Sequence, residues 1–181
     1  MPKFFCNPST PQHAEFIKRL PAIFDTEGEV IYQGRNVLKR FVNEGQRIIV
    51  KSYCDAVWFN RIVYRFFRAP KAQRSYEYAD LLLDIGVGSP LPIGYNIQYQ
   101  GYMIGRSYFA CLESECPYTY RDFRQRSFDN EKDILLAIAD TTAKLHEHGV
   151  IHKDYSAGNI LFGTFDSKVK VEIVDLNRIR F

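Results

Sequence analysis

The residues most able to do chemistry lie in one polar loop, Ile151–Phe162, of sequence IHKDYSAGNILF. His152, Asp154 and Asn159 form the pattern H-x-D-x-x-x-x-N, and Asp175 follows Asn159 by 16 positions. A carboxylate such as that of Asp154 can accept the proton of a hydroxyl group. The side-chain oxygens of Asn159 and Asp175 are hard ligands of the kind that Mg²⁺ prefers. These residue types indicate phosphoryl transfer to a hydroxyl group, which depends on orienting the acceptor and fixing Mg²⁺ on the phosphates.

Two apolar runs, one at the end of this loop and one after it, predict a β-hairpin. They are Ile160–Phe162 and Val169–Val174, and a turn containing Gly-Thr-Phe-Asp-Ser separates them. Asn159 and Asp175 flank the outer ends of the two runs, so pairing of the strands would bring these residues together. His152 is expected to brace the loop backbone rather than to act as a base.

The clearest predicted helix precedes the loop and runs from about residue 131 to residue 148, with Gly149 as its C-terminal stop. Apolar residues at helical spacing predict one face of this helix against a core. That face consists of Ile134, Leu135, Ile138 and Leu145.

The first half of the chain is richer in strands. Three β-rich runs joined by Gly-containing turns, at 30–33, 37–42 and 47–53, predict an antiparallel meander. A helix is expected after Pro70, ended by Gly86. Its predicted core face consists of Ala72, Tyr76, Ala79 and Leu83.

Weaker patterns complete the assignment. Two more strands are predicted at 95–100 and 102–112, and a short helix at 121–128. Residues 1–20 are expected to be an irregular lead-in, because prolines at 2, 8, 11 and 21 discourage regular structure. A β-rich first half and a helix-plus-hairpin second half indicate two lobes, with a boundary near 112–117.

Composition limits the classes of function. The chain has 181 residues, a hydrophobic fraction of 46% and a net charge of +3. This charge is too small to indicate a nucleic-acid partner. The four cysteines, Cys6, Cys54, Cys111 and Cys116, show neither disulfide nor zinc spacing, so reduced thiols in a cytoplasmic protein are expected.

The loop and the aspartate that follows it resemble the catalytic loop and metal-binding aspartate of protein kinases. The resemblance extends upstream. Lys51, which ends an Ile-Ile-Val run, is similar to the third-strand lysine that contacts the α- and β-phosphates. Glu77 is similar to the lysine's helix-C partner, and Gly34 lies where a phosphate-covering loop would join two strands. The run near Ala110–Glu113 ends the last predicted strand of the first lobe and leads into the segment that joins the lobes, so its backbone groups, including those of Leu112 and Glu113, are expected to bond to the adenine.

Three further segments are similar to the bacterial lipopolysaccharide core kinases. They are 72–79, 90–95 and the loop at 152–162. This family implies ATP as the phosphoryl donor, Mg²⁺ as the metal, and Kdo or heptose of the lipopolysaccharide core, or a related glycan, as the acceptor.

The same resemblance implies the fold. It is an α+β, protein-kinase-like single domain over 1–181, with an antiparallel β-rich N-lobe (about 22–112) that carries one main helix. A hinge (about 110–117) and a partial helical C-lobe (about 118–181) follow, the latter carrying the catalytic loop and β-hairpin. The chain ends at Phe181, soon after Asp175, so the C-lobe is expected to be truncated. Two alternatives stay open: a fragment of a longer kinase, inactive by itself, or a reduced protein.

The sequence also departs from the kinase pattern. Gly34-Arg35-Asn36 lacks G-x-G-x-x-G, Lys153 stands where arginine is usual, and Asp175-Leu176-Asn177 replaces Asp-Phe-Gly. Ser156 lies two positions after Asp154, where Ser/Thr protein kinases often have a lysine. These departures favour a small-molecule or glycan kinase over a protein kinase.

Several alternatives remain open at this level. A nucleotide-binding kinase-like module without turnover, or a protein Ser/Thr kinase, would carry many of the same residues. Gly34 is equally typical of an ordinary hairpin. The segment Trp58–Arg68 mixes aromatic residues with three arginines. This mixture suits packing under a helix, or contact with the inner-membrane surface or an anionic glycolipid.

Overall fold

The computed structural model describes residues 3–53, 69–101 and 103–181. Cys54 and the segment Trp58–Arg68, for which the sequence left two interpretations open, lie outside these residues. The chain divides into two compact units. The first consists of Met1–Glu77 and Leu91–Glu113, and the second of Tyr78–Pro90 and Ser114–Phe181.

The first unit is built on a six-stranded antiparallel sheet with the strand order β1-β5-β6-β4-β3-β2. The strands are β1 (Lys3–Cys6), β2 (Glu29–Gln33), β3 (Asn36–Asn43), β4 (Gln46–Tyr53), β5 (Pro92–Gln100) and β6 (Met103–Leu112). The predicted meander, β2-β3-β4, and the two later strands are therefore confirmed.

The prediction of an irregular lead-in was wrong. A short 3₁₀ turn, Pro11–His13, leads into helix α1 (Ala14–Ile23), which packs Ile17 and Leu20 into the core of the first unit. Pro21 lies inside α1 and cannot donate a hydrogen bond to the carbonyl of Ile17. The side-chain amide of the buried Asn96 on β5 donates to that carbonyl instead, at 2.9 Å. This tertiary contact satisfies the carbonyl that the proline leaves without its helical partner.

Helix α2 (Lys71–Asp84) follows Pro70 as predicted. Ala72, Tyr76 and Ala79 are buried, but Leu83 is 36% exposed and Leu82 is buried in its place. The predicted face was therefore wrong by one residue at its last position. Gly86 ends the helix with a positive φ of 73°, and the N–H of Val87 donates back to the carbonyl of Leu82.

The second unit contains a small three-stranded sheet and the clearest predicted helix. The sheet pairs β9 (Ile160–Phe165) with β10 (Lys168–Ile173) and with β7 (Tyr118–Thr119). Helix α3 (Tyr120–Phe123) is shorter than the predicted 121–128, and helix α4 (Glu131–Glu147) agrees with its prediction. A two-stranded sheet pairs β8 (Ile151–His152) with β11 (Ile179–Arg180).

The predicted core face of α4 was correct only in part. Ile134 and Leu145 are buried, and Thr141 completes the buried face. Leu135 is 45% exposed, so its assignment to the core was wrong. Gly149 has a φ of 69°, and the N–H of Val150 donates to the carbonyl of Leu145, which closes the helix as predicted.

Two further findings concern cysteines and membrane spans. Cys6, Cys111 and Cys116 are reduced thiols outside any disulfide, as expected. Burial, together with the nearby Glu172 carboxylate, raises the pKa of Cys116 to about 11.

Among the described residues, no helix combines the length and the apolar character needed to cross a membrane.

Candidate active site

The backbone of the loop around Asp154 is held by the imidazole of His152. The buried ring accepts a hydrogen bond from the N–H of Asp154 through Nδ1, at 3.1 Å. Its Nε2 lies 3.2 Å from the carbonyl oxygen of Val174. Because Nδ1 acts as acceptor, the ring proton belongs on Nε2, which donates to Val174. His152 therefore braces the loop, as predicted.

Asn159 closes the same loop from the other side. Its side-chain Nδ2 donates to the carbonyl of Asp154 at 2.9 Å, and the N–H of Ser156 donates to that carbonyl at 2.8 Å. The backbone N–H of Asn159 in turn donates to the carbonyl of Ser156 at 2.9 Å. The backbone of Asp154 is thus held from three positions of its own loop, by the imidazole of His152, the N–H of Ser156 and the amide of Asn159, without any contact to its carboxylate.

The β9-β10 hairpin brings Asn159 next to Asp175. Ile160 pairs with Ile173, and one position further out the N–H of Val174 donates to the carbonyl of Asn159 at 3.0 Å. Asp175 therefore follows directly after the residue that is bonded to Asn159. The hairpin predicted from the sequence is confirmed.

Asp175 marks a sharp change of chain direction. Its φ of 58° and ψ of 49° are left-handed, a conformation that aspartate adopts more readily than most residues. Its Oδ1 accepts a hydrogen bond from Nδ2 of Asn177 at 2.6 Å. A 3₁₀ turn, Leu176–Arg178, begins immediately after it. Uncommon backbone conformations of this kind cluster at functional sites.

Sequence reasoning missed Arg178. Its Nη1 donates to Oδ2 of Asp154 at 3.4 Å, and its carbonyl accepts from the N–H of Lys153 at 3.2 Å. The β8-β11 pairing, Ile179 opposite His152, produces this proximity between residues 24 positions apart. One feature of the sequence could have indicated it. Position 156, where Ser/Thr protein kinases often have a lysine, is serine, and Arg178 is a cation three residues after Asp175.

Tyr155 anchors the loop to α4. The hydroxyl of Tyr155 lies 2.8 Å from Oγ1 of Thr142. The Thr142 hydroxyl itself donates to the carbonyl of Ile138. Burial raises the pKa of Tyr155, and the contact with Thr142 offsets part of that rise. The side chain beside Asp154 is therefore a neutral packing group at physiological pH.

The donor set fits Mg²⁺. With Nδ2 of Asn159 committed to the carbonyl of Asp154, the amide presents its oxygen as the remaining donor, and Asp175 adds a carboxylate at the neighbouring position. Across the described ranges, no three or more His, Cys, Asp or Glu side chains cluster as a metal site. One or two protein oxygens completed by substrate phosphates are the ligands that Mg²⁺ commonly takes.

The remaining predicted site residues belong to the first unit. Lys51 lies on β4 between Leu38 and Phe109, and its ammonium group is 5.4 Å from the ring centroid of Tyr53. Glu77 is exposed on α2 and accepts a hydrogen bond from Nε2 of Gln73 at 2.7 Å.

Gly34 has a local packing role. A Cβ at this position would lie 2.6 Å from the hydroxyl oxygen of Tyr32. Its N–H donates to the carbonyl of Asn36 at 3.1 Å, which closes the turn between β2 and β3. These contacts support the interpretation as a hairpin glycine, and a contact with phosphate stays a prediction.

The predicted adenine contacts, Leu112 and Glu113, have their N–H groups engaged within the protein. Leu112 donates to the carbonyl of Leu91 and Glu113 to that of Arg47, each at 2.9 Å. The Glu113 carboxylate lies 2.6 Å from Arg40 and 2.9 Å from Arg47, which ties the end of β6 to β3 and β4.

Comparison with known proteins agrees with this architecture. Residues 27–181 match the model of the lipopolysaccharide kinase (Kdo/WaaP) family. A solved structure of WaaP in complex with acyl carrier protein has a similar fold, with a TM-score of 0.65 and 16% sequence identity. The similarity covers 98% of this chain and 72% of that chain. Among curated proteins, none matches the sequence.

These matches confirm the predicted α+β, kinase-like fold and the predicted family. The family match extends over most of the chain and includes Lys51, Glu77, the Asp154 loop and Asp175. The chain belongs to the lipopolysaccharide kinase (Kdo/WaaP) family.

Proposed function

We propose that this protein is an ATP-dependent kinase that phosphorylates a sugar hydroxyl, of Kdo or heptose, in the lipopolysaccharide core. The observation that carries the proposal is the arrangement of Asp154, Asn159 and Asp175. One direct hydrogen bond links the first two residues, and the hairpin register brings the third beside them. In a member of a lipopolysaccharide kinase family, this arrangement supports phosphoryl transfer to a sugar.

Asp154 is the proton acceptor in the proposed reaction. The oxygen of the acceptor hydroxyl bonds to the γ-phosphorus of ATP while the bond from that phosphorus to the β–γ bridging oxygen breaks. The hydroxyl proton passes to the Asp154 carboxylate, and ADP leaves with the electron pair of the broken bond. Because His152 and Asn159 hold the backbone of Asp154, its carboxylate can orient the hydroxyl without rearrangement of the loop.

Asn159 and Asp175 would hold Mg²⁺, which when bound would offset the negative charge on the phosphates. The contact from Asn159 Nδ2 to the Asp154 carbonyl fixes the orientation of the amide, so that its oxygen is the group left for a cation. The contact from Asn177 holds the Asp175 carboxylate in one rotamer.

In the proposal the nucleotide is held by residues of the first unit. Lys51, with Glu77, would position the α- and β-phosphates, and the turn at Gly34 would cover them. The adenine would lie beside Leu112 and Glu113. Because the N–H groups of both residues already donate to protein carbonyls, we expect the base to bond to backbone carbonyls of this segment or to N–H groups beyond Glu113.

Partners and location belong to the same proposal. The similar solved structure contains an acyl carrier protein, so an acyl carrier protein is a candidate partner for this chain too. Because a lipopolysaccharide acceptor carries lipid, we propose that the protein is cytoplasmic and acts at the surface of the inner membrane.

The test is a transfer assay with radiolabelled ATP, Mg²⁺ and purified acceptors. The acceptors are a Kdo-containing core glycolipid, a heptose-containing one and a general protein-kinase substrate. We expect label on one glycolipid and none on the protein. Preferential labelling of the protein would contradict the proposed acceptor, and tight ATP binding without transfer to any acceptor would favour the non-catalytic module.

A further inference from the structure

The catalytic loop has no cation two positions after Asp154, because Ser156 occupies that place. A charge that moves from ATP to an acceptor is commonly stabilised by a positively charged side chain. Arg178 brings a guanidinium to the same aspartate from another segment, with Nη1 at 3.4 Å from Oδ2 of Asp154.

The backbone of Arg178 is held by a hydrogen bond and by a turn. Its carbonyl accepts from the N–H of Lys153, the neighbour of Asp154. Arg178 also ends the 3₁₀ turn that begins after Asp175. Arg178 is therefore three positions after the proposed metal ligand Asp175 in the chain. The β8-β11 pairing and this turn therefore hold the guanidinium of Arg178 beside the proposed proton acceptor, Asp154.

The contact between the two side chains is weak for a structural ion pair. At 3.4 Å it is longer than the roughly 2.7–2.9 Å typical of charge-assisted hydrogen bonds. The side chains of Arg178 and Asp154 are 58% and 42% exposed. By contrast, Arg40 lies 2.6 Å from a Glu113 carboxylate whose side chain is 17% exposed. A guanidinium held so loosely can leave Asp154 when a stronger anion arrives.

We propose that Arg178 is a catalytic residue that binds the γ-phosphoryl group of ATP and follows it through transfer. This inference rests on the proposed kinase function. As the acceptor oxygen bonds to the γ-phosphorus and the bond to the bridging oxygen breaks, the guanidinium donates N–H groups to the oxygens of the moving phosphoryl group. Its release from Asp154 leaves that carboxylate to take the hydroxyl proton, and ADP leaves with the electron pair.

The test compares nucleotides with and without the γ-phosphoryl group. Calorimetric affinities for ADP and for a non-hydrolysable ATP analogue, with Mg²⁺, are measured for the parent, Arg178→Gln, Arg178→Lys and Arg180→Gln. Arg180 is the matched control, because it is an exposed arginine two positions away on β11. Thermal midpoints of all four proteins report on folding, and the transfer assay is run in parallel.

We expect Arg178→Gln to bind ADP like the parent, to bind the ATP analogue about tenfold more weakly, and to transfer phosphate about 10³-fold more slowly, the lower end for loss of a catalytic arginine. Arg178→Lys should recover part of both losses, and Arg180→Gln should match the parent.

If Arg178→Gln weakens the binding of ADP and of the ATP analogue equally, Arg178 has a structural role and the proposal is overturned. The same conclusion follows if both Arg178 variants lose analogue binding and transfer activity together with a lowered thermal midpoint. Undiminished transfer by Arg178→Gln would overturn it as well while leaving the kinase proposal intact. A parent protein that binds neither nucleotide would overturn both.

Discussion

In the second unit, Asp154 and Asn159 bond directly to each other, and the backbone of Asn159 bonds to the residue before Asp175. In the first unit, the candidate residues are engaged by the sheet itself. The ring of Tyr32 covers Gly34, and the N–H groups of Leu112 and Glu113 donate to the carbonyls of Leu91 and Arg47. The residues proposed for catalysis are thus held in place by contacts within their own loop. The residues proposed to contact the nucleotide already have structural roles in and beside the sheet, and these roles do not depend on a ligand.

This difference sets expectations for mutation. Changes in the loop and hairpin of the second unit should affect chemistry strongly, because each side chain there has a specific role. Changes at the nucleotide candidates of the first unit should give smaller effects on affinity, and some should act only through local packing.

The largest effect is expected for Asp175→Asn, which replaces a charged oxygen ligand by a neutral one. Asparagine tolerates the left-handed backbone at this position, so the fold should be retained. We expect transfer to fall on the order of 10³-fold, because a correctly held metal supplies several kcal/mol of transition-state stabilisation. The measurement is the transfer rate as a function of Mg²⁺ concentration.

Asp166→Asn is the matched control for that variant. Asp166 also has a positive φ, of 46°, but lies on the exposed turn between β9 and β10. If the two variants show the same rate and the same Mg²⁺ dependence, Asp175 is not a metal ligand.

Lys51→Met tests the first unit at its most specific candidate. Methionine keeps much of the apolar stem and removes the ammonium group. We expect kcat/KM for ATP to fall about 10–100-fold, since loss of one phosphate contact is worth roughly 1.4–2.7 kcal/mol. Titration with ATP measures this, and Lys168→Met, an exposed lysine of β10, is the control. ATP kinetics identical to those of the parent would remove Lys51 from the site.

His152→Leu tests whether the loop depends on its brace. The substitution leaves the N–H of Asp154 and the carbonyl of Val174 without their ring partners. We expect a loss of about 1–3 kcal/mol in the free energy of unfolding, the usual effect of unsatisfied buried polar groups. Denaturant unfolding measures it, with the exposed His148→Leu as control. Stability equal to that of the parent would show that other contacts hold the loop.

The smallest effect should separate the two interpretations of Gly34. In a Tyr32→Ala background the added methyl group of Gly34→Ala no longer meets the tyrosine hydroxyl. If the turn contacts phosphate through its backbone, ATP affinity should still fall a few-fold in the double variant, about 1 kcal/mol or less. Equal affinity in Tyr32→Ala and in the double variant would leave Gly34 with a packing role alone.

The site could be predicted where its geometry is local. The H-x-D-x-x-x-x-N pattern and the two apolar runs after it determine a loop and hairpin whose ends must meet, and the structure confirms this pairing. Arg178 was not predicted, because its position depends on the β8-β11 pairing, and strands of two residues have no recognisable sequence pattern.

Contacts between residues far apart in the chain also explain why parts of the predicted fold were wrong. Helix α1 forms around Pro21 because Asn96, 79 positions after Ile17, satisfies the carbonyl that the proline leaves without a donor. No local rule contains that contact. At the end of α2, the choice between Leu82 and Leu83 depends on which neighbour lies beneath the helix, and the spacing of apolar residues permits both.

The most direct test of the central claim is the behaviour of Asp154→Asn in single-turnover transfer and in ATP binding. The amide keeps the shape of the side chain and its backbone contacts but cannot accept the hydroxyl proton. We predict a rate of phosphoryl transfer reduced about 10²–10⁴-fold, with ATP affinity close to that of the parent. A variant that transfers phosphate at the parental rate would contradict the assignment of Asp154 as the proton acceptor.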